Sequence, residues 1–177
     1  MMPKKIVAIG PESTGKTVLC EELARHFRMK WCPEFAREYL LRHGKEYTYD
    51  DLLWIAKGQV EQEDDAVAAT INAGLPLLFI DTDMYVMKVW SEFVFGKCHP
   101  YILRQIVERK YDLYLLCNTD LPWKQDELRE YPDLVTRDKL FTMYKDLMVN
   151  QETEWMEIHG KDDERVSQAI GAINHFL

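Results

Sequence analysis

The 177-residue sequence predicts a three-layer α/β fold with a mostly parallel, five-stranded sheet, and three observations carry that expectation. Short, β-branched apolar runs alternate with longer segments whose apolar residues recur every three or four positions, the alternation of strands and covering helices in a parallel sheet. A glycine-rich turn falls directly between the first strand pattern and the first helix pattern. Apolar residues make up 47% of the chain, ample for one buried core, and the length fits a single domain over residues 1–177.

The elements follow in order. Residues 4–9 (KKIVAI) are a short apolar strand that stops at Gly10, and Leu19, Leu23 and Phe27 repeat at intervals of four to mark a helix over 16–29. A short strand is expected at 30–33 and a helix at 34–43, closed by Gly44. The next helix is longer. Asp50 is its expected N-cap, its stripe runs through Leu53, Ala56, Val60, Val67 and Ile71, and Gly74 with Pro76 ends it. Residues 77–81 (LLFID) and 112–117 (DLYLLC) read as central strands, separated by helices at 84–95 and 100–109. The polar stretch 118–138, with Pro122 and Pro132, reads as a loop serving as a lid. A helix at 138–150, a strand near 154–158 and a final helix bearing Val166, Ala169, Ile170, Ile173 and Phe176 complete the chain.

Composition excludes several function classes. Twenty-two basic against 30 acidic residues leave a net charge of −8 with no basic block, so no electrostatic footprint for nucleic acid is present. Apolar runs such as LPLLFI (75–80) fall far short of the roughly 20 residues that span a bilayer. No export signal is visible at the N-terminus, and the four cysteines lack any CxxC pairing, so reduced thiols and a cytoplasmic location are expected. Oligomeric state leaves no mark in the sequence.

Residues 10–17, GPESTGKT, match GxxxxGK[ST] in the strand-to-helix context that this motif requires. The motif marks a P-loop, and the fold is accordingly a P-loop NTPase or kinase fold. Main-chain N–H groups of Glu12, Ser13, Thr14, Gly15, Lys16 and Thr17 can curl around a phosphate if Gly10 and Gly15 leave room, and the helix N-terminus, continuing at Val18, adds partial positive charge. Lys16 supplies a point charge to the β- and γ-phosphates of ATP, and the Thr17 hydroxyl is placed to ligate Mg²⁺.

Asp81, closing the LLFID strand, is the expected second Mg²⁺ determinant. Asp83 contacts the metal shell or a substrate hydroxyl, or else caps the helix that starts at Met84. Glu34, at the end of the second strand, is the candidate general base toward a small-molecule hydroxyl acceptor, with pairing to Arg37 as the competing role. Arg129 and Arg137, placed in the lid, can neutralise charge on the transferred phosphoryl group or form surface ion pairs with neighbouring carboxylates. Trp123 either stacks on a base or anchors the loop.

GPESTGKT, PEFAREY, FIDTD followed by GKCHP, and YDLYLL followed by TDLPWKQDELR together resemble the ribosylnicotinamide kinase domain of NadR-type proteins, P-loop kinases of the AAA-type ATP-binding family. The resemblance spans most of the chain. It implies ATP-dependent phosphorylation of the ribose 5′-hydroxyl of nicotinamide riboside to nicotinamide mononucleotide, in NAD salvage. It also implies that Glu34, Asp81, Arg129 and Arg137 are active-site residues. The adenylyltransferase and DNA-binding modules of NadR-type proteins have no counterpart in the motifs found here. Family members hold the nicotinamide ring between aromatic side chains, one of them directly before the Glu of the PEFAREY-like segment, where this chain has Pro33; Trp31, Phe35, Tyr39, Trp54 and Trp90 are the alternatives.

Overall fold

The computed structural model describes residues 2–124, 128 and 130–177. Along the chain it runs β1 (Lys4–Ile9), α1 (Lys16–Phe27), β2 (Lys30–Cys32), α2 (Phe35–His43), α3 (Tyr49–Asn72), β3 (Leu77–Asp81), α4 (Met84–Phe95), α5 (Pro100–Glu108), β4 (Leu113–Cys117), α6 (Leu134–Val149), β5 (Trp155–Ile158) and α7 (Asp162–Phe176). The strands form one sheet in the order β2-β3-β1-β4-β5, and every pairing is parallel.

Alternation along β1 decides the layers. Ile6 and Ala8 face one side, where Leu19, Cys20 and Leu23 of α1 and Ala169 and Ile173 of α7 cover them. Val7 and Ile9 face the other, against Val86 and Val89 of α4 and Leu140, Tyr144 and Met148 of α6. A third cluster joins α2, α3, α4 and α5 through Leu40, Leu52, Ile55, Met87 and Ile102. Helices on both faces explain why β3 and β4 are buried at all five positions and read as unbroken apolar runs.

The chain leaves β1 toward β2 on one side and later places β4 on the other, so β1 lies at the point where the strand order reverses. In open parallel sheets the crevice at the carboxyl ends of such strands collects ligands. Ala8 pairs with Asp81 and Ile9 with Leu116, which brings the ends of β1, β3 and β4 to that edge together.

Two boundaries and one helix face differ from expectation. The N-cap of α3 is Thr48, whose side chain accepts from Asp51 N while Asp51 returns a bond to Thr48 N, so Asp50 lies one position inside the helix. The buried face of α3 is Leu52, Ile55, Ala56, Gln59, Glu63 and Thr70, rotated from the expected stripe, since half of it is polar: Gln59 and Glu63 are satisfied by other elements, and Thr70 donates to Ala66 O of its own helix. Leu53 is only partly buried and Ile71 is exposed. Helix α6 begins at Leu134 rather than 138, because Asp133 accepts a hydrogen bond from Thr136 N at 2.7 Å and caps it. The last residues of the expected lid are therefore helical. Among the described residues no helix is long and apolar enough to cross a membrane.

Candidate active site

The GPESTGKT segment links β1 to α1 as a curled loop. Ser13 and Gly15 both take left-handed backbone conformations, with φ of 59° and 78°. Such turns between a strand and a helix gather main-chain N–H groups into an anion-binding concavity. Gly15, at the N-cap position of α1, has no side chain to cap the first turn, whose amides remain for an anion. Gly10 is demanded by something else. A Cβ there would lie 2.7 Å from the carbonyl oxygen of Cys117, so the close approach that excludes a side chain is that of β4, not of a phosphate.

Inside the loop, Lys16 Nζ donates to the carbonyls of Gly10 (3.0 Å) and Pro11 (2.9 Å), and buried Thr14 donates to Pro11 O at 2.7 Å. Thr17 Oγ1 donates to Asp81 Oδ2 at 2.6 Å. Asp81 is fully buried, and that burial, reinforced by the Glu34 carboxylate, pushes its pKa up to about 6. Thr82 follows with φ of 74°, an uncommon backbone for a β-branched residue and a strain that persists only where surroundings enforce it. Its hydroxyl lies 3.4 Å from both Glu34 Oε1 and Asp81 Oδ1, bridging the two carboxylates.

Asp83 does not join them. Its Oδ1 accepts from Tyr85 N (2.9 Å) and Val86 N (3.3 Å), and its Oδ2 accepts from the Tyr114 hydroxyl at 2.9 Å. Burial raises its pKa to about 7. Its geometry is that of the helix cap.

A cavity of about 580 Å³ opens from the loop. Gly10 through Val18 form one wall, with Val18 on the rim at 55% exposure. Glu34, Arg37, Leu40, Tyr47, Trp90, Phe93 and Tyr131 are among the residues of the opposite walls. Of the aromatic alternatives weighed from the sequence, Trp90 alone is among the lining residues; Tyr47 and Phe93 join it there. Trp90 Nε1 donates to the Tyr47 hydroxyl, which donates to Glu130 Oε2, both at 2.8 Å, and the two rings meet edge-to-face at 4.9 Å.

Glu12 ties the walls together. Its carboxylate accepts from the main-chain N–H groups of Glu130 and Tyr131 at 2.8 to 3.1 Å, and burial raises its pKa against their pull. Ser13 Oγ accepts from Lys124 N at 3.1 Å. Arg137 lies in the first turn of α6, not in a loop. It is 3% exposed, donates to Ser13 O (3.3 Å) and Leu121 O (3.2 Å), and sits 5.7 Å from the Trp123 ring centre. Trp123 thus packs on a guanidinium that braces the phosphate loop. Arg129 lies outside the described residues.

Sequence reasoning missed Arg165. Buried in α7, it donates to Thr14 O, Asn118 O and Gly160 O at 2.9 Å each and also to the Asp120 carboxylate. One side chain thereby joins the phosphate loop, the end of β4 and the turn before α7. The available signal was its spacing: Arg165, Ala169 and Ile173 share one buried stripe.

Thr17 and Asp81 offer oxygen donors of the hard kind that Mg²⁺ takes alongside phosphate and water. The His99 imidazole, beside Cys98, accepts from Tyr101 N at 3.0 Å as the cap of α5. Among the described residues no group of three or more His, Cys, Asp or Glu side chains forms a separate metal site.

The chain matches known proteins over nearly its whole length. A family model described as an AAA domain matches residues 5–165. The trifunctional NAD biosynthesis/regulator protein NadR of Escherichia coli (strain K12) is 26% identical over 98% of this chain, which spans 43% of that relative's length. A crystal structure of NadR in complex with NR superposes with a TM-score of 0.82 at 23% identity, covering 99% of this chain and 50% of that one. A NadR structure with NAD and AMP-PNP gives 0.80 at 22%, covering 99% and 49%. This chain therefore spans about half the length of these NadR relatives.

Proposed function

The chain belongs to the AAA domain family, and from that premise we propose that it is an ATP-dependent small-molecule kinase whose acceptor is the ribose 5′-hydroxyl of nicotinamide riboside. The observation that carries this reading is the joint between two half-sites. Thr17 of the phosphate loop and Glu34 both line the aromatic cleft, and buried Asp81 and Thr82 link them through hydrogen bonds, so a nucleotide tail and an acceptor hydroxyl would converge beside the same carboxylates.

The loop amides and Lys16 grip the β- and γ-phosphates, for which the Lys16 ammonium leaves its resting carbonyls. Thr17 and Asp81 would hold Mg²⁺, which would neutralise charge on the phosphate oxygens of ATP. Glu34 accepts the proton of the acceptor hydroxyl as its oxygen attacks the γ-phosphorus and the bond to the ADP oxygen breaks. Arg137 acts by holding the Ser13 and Leu121 carbonyls, and therefore the loop, in place. Arg129 is the guanidinium proposed to meet the transferred phosphoryl group. Trp90, Tyr47 and Phe93 supply ring faces for a flat, cationic pyridinium, the contact that aromatic side chains favour. Binding of NR by a NadR protein of the same fold supports that acceptor.

A panel of nucleosides and vitamin-like alcohols with ATP and Mg²⁺, read as ADP formed and product mass, tests the reading. Nicotinamide riboside is expected to give a product heavier by one phosphoryl group. ADP formed equally fast without any acceptor would overturn it in favour of a regulatory ATPase.

A further inference from the structure

Glu34 occupies the N-cap position of α2 and yet does not cap it. A side chain at that position ordinarily accepts from the N–H groups of the first helical turn, and a glutamate so engaged would be turned away from the cleft. The capping work is done from elsewhere. Gln59 of α3 places Oε1 2.8 Å from Phe35 N, the first amide of α2, and Nε2 3.5 Å from Pro33 O. Those two partners fix the orientation of the amide, since an N–H demands the oxygen and a carbonyl demands the NH₂. One turn further on, Gln62 also donates to Pro33 O. The peptide groups on both sides of Glu34 are therefore held by side chains of α3.

Packing reinforces the hold. A Cβ at Gly58 would lie 2.1 Å from Phe35 Cε1, so the glycine in the middle of α3 is a notch that seats the Phe35 ring. Gln59 itself is 1% exposed, in line with Ile55, Ala56 and Glu63 on the buried face of its helix. A buried amide is costly unless its bonds are made, and here both ends are engaged at the turn that carries Glu34.

We infer that Gln59 is a positioning residue for phosphoryl transfer: with the Gly58 notch it caps α2 in place of Glu34 and leaves the Glu34 carboxylate facing Thr82 and the acceptor cleft. The inference rests on the proposed role of Glu34 as base. It lies outside the motif that carries Glu34, in a helix that contributes no residue to the cavity wall.

The test is a double-mutant cycle on the full chain with ATP, Mg²⁺ and nicotinamide riboside. Gln59→Met keeps the length of the side chain and removes the amide. It is expected to lower kcat about 10- to 100-fold, the scale on which misplacing a reactive group acts, while KM for ATP moves less than about twofold. In a Glu34→Gln background the same change should cost less than about twofold, because the group it positions is already gone. An equal loss in both backgrounds would show that Gln59 acts on the fold at large and would overturn the inference, as would a folded Gln59→Met enzyme with full turnover. Should Gln59→Met fail to fold, Gly58→Ala, which displaces Phe35 from its notch, enters the same cycle with the same expectations. Full turnover by Glu34→Gln alone, or none by the unaltered chain, would remove the base or the acceptor reading itself. Either result is told apart from a failure of the inference because each is measured without touching Gln59.

Discussion

The two walls of the cleft are built on different principles. The phosphate wall is a run of consecutive residues, Gly10 to Val18, whose main chain would do the binding, and distant side chains such as Arg137 and Arg165 hold it in shape. The acceptor wall gathers single side chains from α2, α4, the segment before α3 and the segment before α6. The first wall is a local motif with remote supports. The second exists only as a tertiary assembly, so damage to it should alter acceptor recognition while leaving nucleotide binding intact.

The largest expected effect falls on the phosphate wall. Lys16→Ala should lower turnover by at least about 10²-fold with the chain still folded, since it removes a charge that acts mainly in the transition state; near-normal turnover would refute that role. Arg165→Ala should reach the same wall indirectly. Three carbonyls and the Asp120 carboxylate lose a buried donor. A loss of about 3 kcal/mol is expected in denaturant titrations, with a raised KM for ATP. Unchanged ATP affinity would confine Arg165 to the fold.

Asp81, at the joint, should show a conflict between stability and function. Its pKa is raised from 3.8 to about 6, so between those pH values the unfolded chain gives up the proton that the folded chain keeps, and stability falls as pH rises through that window. At about 1.4 kcal/mol per pKa unit, the cost above pH 6 approaches about 3 kcal/mol. Without nucleotide or metal, Asp81→Asn should therefore melt higher than the parent at pH 8 and no higher at pH 4, while Mg²⁺-dependent turnover collapses. Equal melting shifts at both pH values would contradict the buried-charge account.

The smallest effect tests the acceptor wall. Trp90→Ala should raise KM for the acceptor about tenfold, the worth of about 1.4 kcal/mol of ring contact, and leave KM for ATP in place. Parallel rises in both constants would mean that the two walls are not separable as drawn.

Much of the phosphate wall was legible because its chemistry lies in eight consecutive residues, placed by a strand and a helix whose periodicity is plain. The position of Asp81 was readable for a similar reason, at the end of an apolar strand. Gly10 was expected to leave room for a phosphate, whereas in the structure the space a side chain would need is closed by the carbonyl of Cys117, 107 positions away. The buried face of α3 was misplaced because Gln59 and Glu63 look like surface residues until their partners on β1, α2 and the loop after α5 are known. Arg137 was assigned to a loop because the cap at Asp133 competes, in sequence, with an ordinary run of surface charges.

By itself, then, the sequence determined the layered α/β architecture, the order of its elements and the loop that would grip a phosphate, all of which follow from local periodicity, turn chemistry and one contiguous motif. The tertiary structure decided which aromatic residues line the cleft, which arginines brace the loop and which glutamine supports Glu34. Those are choices between buried and exposed for polar and aromatic side chains, and only long-range contacts supply the hydrogen bonds and packing that make burial of such groups favourable.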